Sequence, residues 1–208
     1  MRVLHSLAMA ALGFALICSA TAHADTAERA FAEGNELLSE GSFQEALQAY
    51  SAAVRAERTN QQYGQQFLLV RRVIALRGGL DREKDPQRWV AIAQSLRSFY
   101  VSQGIYPEAL SLDETIHARL NTAYSAGQLA ETQLAMGKDA EASRVLSALA
   151  PEKATTGTQA LLAVALARQG QADEARKIGE KAMAPDDAGP GTLYSLARMH
   201  AVVGDGDK

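Results

Sequence analysis

Cysteine is nearly absent: Cys18 is the single one in 208 residues, and it sits in an apolar N-terminal stretch. Arg2 forms a short positive region and Val3 to Ile17 an apolar one. Ala22-His23-Ala24 then supplies an A-x-A site. Residues 1–24 are expected to be a signal peptide, with Ala24 and Asp25 flanking the cleavage point. Ile17 occupies the place where a lipidated cysteine has a small residue, so lipidation of Cys18 is not expected. Once the signal is removed the chain has no cysteine, which excludes disulfides and a thiol nucleophile. Stability must then come from apolar packing, and residues 25–208 suffice for a sizeable core. Basic charge is also scarce. The whole chain carries a net charge of −3, and losing Arg2 makes the mature chain one unit more negative. Such a balance argues against nucleic acid as a partner. No apolar run long enough to cross a bilayer follows the signal, so no further membrane span is expected.

Recognisable chemistry is scarce as well. Two histidines, His117 and His200, lie beyond the signal. Asp113, Glu114 and His117 could share a helix face, but a metal site needs three or four convergent ligands, so a solvated face is preferred. Gly137-Lys138 is followed by Asp139, which excludes a phosphate-binding loop, and neither G-x-S-x-G nor H-E-x-x-H occurs. Asp205-Gly206-Asp207 is too short for a calcium loop. Trp89, Phe99 and Tyr100 stand at helical spacing and read first as core, with a small-molecule pocket on the Trp89 helix as the lesser alternative. Arg71-Arg72, with Arg77 close by, is the one local basic cluster, a candidate for holding a carboxylate of a partner. No catalytic residue, metal or cofactor is expected.

The chain does contain a recurring turn. Gly137-Lys138-Asp139-Ala140-Glu141-Ala142 returns as Gly170 to Ala175, and it follows Gly104 to Ala109 at the same interval. Gly41 to Ala46 belongs to the same set, and Gly204 follows Gly170 after nearly the same interval again. A fixed period of this size marks stacked repeats. The flanking residues have helical spacing. Ala30, Phe31, Gly34, Leu37 and Leu38 make one stripe, and Ala46, Leu47, Tyr50, Ala53 and Val54 another. Gly41 should end the first helix, and Ser42 should cap the second with Glu45 as its capping-box partner.

Over about 59–85 the period is lost. A supernumerary helix is expected from Gln61 to Arg77, built on Phe67, Leu68, Val70, Val73, Ile74 and Leu76 and stopped by Gly78-Gly79. Asp85-Pro86 caps the next helix, Pro86 to Gln103, which pairs with Pro107 to Ala118. Asn121 to Met136 pairs with Asp139 to Ala150, and Thr158 to Gln169 with Ala172 to Met183; Pro151 and Pro185 should close the second helix of each pair. The run Leu161 to Leu166 is apolar nearly all round, as suits a helix flanked on both sides. A non-helical loop is expected over Ala184 to Gly191. A last helix, Thr192 to Val203, lies in an incomplete repeat (190–208), which suggests that the natural chain continues.

With Ala27 as position 1, the first repeat has Gly34, Gly41, Phe43, Ala46, Tyr50 and Ala53 where the tetratricopeptide repeat has its small, turn and aromatic residues. Residues 25–208 therefore resemble that family, with 59–84 in doubt. Arg97 and Asp113 depart from its pattern, one replacing a small residue and the other an aromatic, which predicts a looser crossing there. The resemblance implies an all-α fold, a right-handed α-solenoid of stacked helix-turn-helix repeats. It also implies a concave groove binding an extended or helical segment of another protein. Matching groove positions are Glu28, Phe31, Asn35 and Leu38, then Tyr124, Glu131, Val164 and Arg168. The expected function is a non-catalytic scaffold or adaptor of the bacterial envelope, most simply the periplasm, with oligomeric state open. The alternative is the docking region of an exported enzyme whose catalytic domain lies beyond residue 208.

Overall fold

The computed structural model describes residues 25–183 and 189–204, and among them every regular element is an α-helix. In order these are α1 (25–39), α2 (Phe43–Ala56), α3 (Gln61–Leu80), α4 (Pro86–Ser102), α5 (Tyr106–Leu120), α6 (Ala123–Ala135), α7 (Asp139–Ser147), α8 (Thr156–Arg168), α9 (Ala172–Met183) and α10 (Pro190–Val203). The fold is an all-α helical repeat. The chain divides into two compact units inside α4, between Ile92 and Ala93.

The recurring glycine has one backbone role. Gly41, Gly104, Gly137 and Gly170 all take positive φ, between 70° and 79°. At each, the following residue donates its N–H to the carbonyl five residues back: Ser42 to Leu37, Ile105 to Tyr100, Lys138 to Gln133 and Gln171 to Leu166, over 2.8–3.0 Å. The glycine itself donates three residues back, which completes a Schellman cap. This geometry overturns the capping box expected at Ser42. Its N–H is already committed to Leu37 and its ψ is 65°, so its side chain makes no cap hydrogen bond. An N-cap side chain needs extended backbone. That occurs instead before α6 and α8, where Thr122 (ψ 160°) and Thr155 (ψ 163°) form reciprocal boxes with Ser125 and Thr158. Within one repeat the first helix is thus started by a side chain and the second by the turn.

In the first unit, Gly34 lets α1 lie against Tyr50 of α2: a Cβ there would stand 2.7 Å from Tyr50 Cε1. Tyr50 is fully buried, its hydroxyl donates to Asn35 Oδ1 at 2.8 Å, and burial pushes its phenol up to about 12. α3 continues through Gly78-Gly79 to Leu80, past the expected stop. A helix tolerates each glycine at a cost of about 1 kcal/mol, and here Arg82 Nε closes the end by donating to the Gly78 carbonyl at 2.8 Å. Tyr63, Val70 and Val73 form its buried stripe; Leu68, expected among the packing residues, is 57% exposed. Asp85 caps α4 as expected, its Oδ1 accepting from the Arg88 N–H at 2.8 Å.

The second unit repeats the crossing of Gly34 and Tyr50 at the same separation in sequence. Ala130 and Leu146 are both buried at the next crossing. At the last, Ala163 corresponds to Gly179, and the emptied volume is filled by α10: a Cβ on Gly179 would meet Met199 Cε at 2.7 Å. Side-chain volume therefore passes from one helix to another while the crossing stays close. α8 packs against α7, α9 and α10 and touches α6, which explains its apolar run Leu161 to Leu166. Several boundaries differ from expectation. Asn121 is left-handed (φ 47°) and ends α5; α7 stops at Ser147, before Pro151; and α10 begins at Pro190, making Pro190 and Gly191 helical. The expected signal over 1–24, Pro185 with the loop 184–188, and Asp205-Gly206-Asp207 lie outside the described residues.

Candidate functional site

The remaining crossing joins α4 and α5, where Arg97 and Asp113 stand in place of a small and a large apolar residue. They compensate each other. Arg97 Nε donates to Asp113 Oδ1 at 2.7 Å, and Thr132 Oγ1 donates to Asp113 Oδ2 at 2.6 Å. The Asp113 side chain is 0% exposed and that of Arg97 13%. An ion pair with its spare oxygen satisfied replaces apolar filling, so the departures do not leave the crossing unfilled. Asp113 is thereby withdrawn from any metal set with His117, whose Nδ1 lies 3.1 Å from Ser125 Oγ. Among the described residues no group of three His, Cys, Asp or Glu side chains could hold a metal.

The guanidinium opens onto a groove. Its Nη2 donates to the Gln128 carbonyl at 3.1 Å and lies 3.6 Å from Glu131 Oε2. Next to it, the amides of Gln94 and Gln128 bond reciprocally at 3.0 and 2.9 Å, and Gln128 Nε2 also donates to the Tyr124 hydroxyl. One wall is thus held rigid by paired polar groups. The groove encloses about 520 Å³ and is lined along α6, α8 and α10, with Arg97 at its back. Gly127, Gly157, Gly189 and Gly191 contribute to the lining. None has positive φ, and a Cβ at any of them meets at most ordinary contacts of 3.7–3.8 Å. Neither backbone strain nor crowding within the fold calls for glycine there. Their lack of side chains opens the space; Gly127 is itself buried, Gly157 and Gly189 are half-buried and Gly191 is exposed. Glu131 is the second charged group of the lining. Burial in the concavity raises its carboxyl above the ordinary range and Asp113 adds to this, while Arg97 and more distant Arg198 oppose it. Its side chain is still 57% exposed at the groove mouth, so water screens much of that effect.

Of the expected partner-binding residues, only Tyr124 and Glu131 line this groove. Val164 is fully buried in the core and offers no surface, and Leu38 is 5% exposed; both corrections arise because a neighbouring helix covers that side of α8 and α1. Arg168 clamps one repeat to the preceding one, donating to the Leu134 carbonyl at 2.8 Å. In the first unit, Phe31 packs its ring 5.5 Å from Tyr50 and 4.6 Å from Tyr63, Asn35 holds the Tyr50 hydroxyl, and Glu28 is exposed. Arg71 and Arg72 are exposed on α3, while Arg77 lies over the Phe43 ring at 4.6 Å. Trp89 is 5% exposed and Tyr100 4%, which agrees with core packing rather than a ligand pocket. Sequence reasoning missed Gln94, Gln128 and the lining glycines, and it marked Arg97 without its role. Gln94 and Gln128 stand one repeat length apart, and that spacing was the signal that could have found the pair.

Neither a family model nor a curated protein matches this sequence. Among solved structures, the chain is similar to the crystal structure of the P58(IPK) TPR domain, at a TM-score of 0.44 and 17% identity, covering 100% of this chain and 67% of that one. The likeness is too slight to bear on function; the repeat reading rests on the crossings and caps above. No helix among the described residues is long and apolar enough to cross a membrane.

Proposed function

We propose that the protein is a non-catalytic interaction scaffold whose second unit receives a segment of another protein in the groove along α6, α8 and α10. One observation carries this reading: four glycines that neither strain nor crowding in the fold calls for line a single open groove of about 520 Å³. Gly127, Gly157 and Gly191 stand within helices, where glycine costs about 0.5–1 kcal/mol relative to alanine. Gly189 is the N-cap of α10, a position that suits glycine. The recurrence of the other three is explained by space kept for an incoming chain. Tyr124, 68% exposed at the rim, adds the kind of aromatic anchor on which such contacts centre. The sequence of the N-terminal stretch, Met1 to Ala24, supports export, and we place the scaffold in the envelope of a bacterium. The test is affinity capture from envelope extract with residues 25–208. Partners should be retained by the natural chain and lost when Gly191→Trp fills the groove. Equal retention by both would refute the reading.

A further inference from the structure

The groove's chemistry narrows what it takes. Arg97 and Glu131 are the charged residues of the lining. Arg97 is engaged, at 2.7 Å from a fully buried Asp113 and 3.1 Å from the Gln128 carbonyl. These two opposite charges cancel locally. Glu131 receives a single contact from that guanidinium, at 3.6 Å, beyond hydrogen-bond length, and it is 57% exposed. Arg198 lies outside the lining, over the Tyr194 ring at 5.6 Å, and is the weakest of the charges that act on Glu131. The groove therefore presents one under-paired carboxylate. Two helical turns away Tyr124 offers an exposed ring on the same face of α6, and cations favour such rings.

Resting on the groove reading above, we infer that the partner segment is an extended peptide carrying a lysine or arginine side chain, which pairs with Glu131 while its backbone passes over the glycines. Charge complementarity selects this occupant. An acidic segment would place its carboxylate against Glu131 with no unengaged cation in the lining to receive it, and a wholly apolar one would strip water from Glu131 without a compensating partner.

The experiment is selection of random decapeptides displayed on phage against immobilised residues 25–208, followed by fluorescence anisotropy with the selected peptides. Peptides enriched in Lys or Arg are expected. Glu131→Gln, nearly isosteric and at an exposed site, should weaken them about three- to fivefold, as loss of a partly exposed ion pair does. That difference should shrink as salt rises. Glu131→Lys should redirect the selection toward Asp and Glu. Peptides that Gly191→Trp blocks but that show no cationic preference, or bind Glu131→Gln unchanged, overturn this inference and leave the groove reading standing. Peptides that Gly191→Trp leaves bound overturn the groove reading itself. A Cβ at Gly191 meets nothing within 4 Å, so that variant should fold; Gly157→Leu serves as a second block, its Cβ meeting only contacts of 3.8 Å.

Discussion

Replacing Arg97 by alanine should be among the most damaging single changes in the second unit, although arginine departs from the repeat's own pattern. The carboxylate left behind is 0% exposed, with the Thr132 hydroxyl as its remaining partner. Stranding one member of a buried pair costs about 3–5 kcal/mol. Asp113→Leu should cost less, about 1–3 kcal/mol, because Arg97 is partly exposed and can turn toward Glu131, already 3.6 Å away. The double variant Arg97→Ala, Asp113→Leu copies the apolar pair at the next crossing, Ala130 and Leu146. It should return to within about 1.5 kcal/mol of the natural chain, since apolar replacements of buried ion pairs are often neutral or better. The expected coupling is then at least about 2 kcal/mol. Urea unfolding followed by circular dichroism would measure the cycle, with hydrogen exchange locating the loss on α4 to α6. Two single variants whose costs simply add in the double would refute the reasoning. So would an Arg97→Ala variant milder than Asp113→Leu.

Two further predictions concern the crossings. Gly34→Ala drives a Cβ to 2.7 Å from the rigid Tyr50 ring, whereas Gly179→Ala meets the flexible end of Met199 at the same distance. After alanine's helix preference is allowed for, the first should destabilise by about 1–2 kcal/mol and the second stay near neutral in thermal unfolding; the reverse order would contradict the packing. Tyr50 should be among the last tyrosines to ionise, at about 12 rather than 10. Burial favours its neutral form, so the folded chain holds the proton after the unfolded chain has lost it, and stability falls as pH rises from 10 toward 12. Tyr50→Phe should flatten that fall in alkaline denaturation, and six tyrosines titrating together in ultraviolet absorbance, with none delayed, would count against it.

Much of the architecture was legible in the linear sequence because its signals are local. A glycine at positive φ ends a helix by its own backbone freedom, and the return of that glycine at a fixed interval exposes both the repeat and its interruption after Ala56. The site was far less legible. Glu131 and Tyr124 were reachable through periodic position, but the same counting nominated Val164, which a neighbouring helix buries. Gly78-Gly79 misled for a related reason: a preference of about 1 kcal/mol per glycine yields to the contacts of the long helix α3 and the Arg82 cap.

By itself, then, the sequence determined the helices, the turns between them and the repeat length, since each depends on groups within a turn or two of one another along the chain. Tertiary structure decided which side chains share a crossing. Gly34 makes sense only beneath Tyr50, Gly179 only against Met199, and Arg97 only beside Asp113, each partner standing on another helix. The groove was decided there too, for whether a glycine opens space or merely loosens a helix depends on what the adjoining helices place over it.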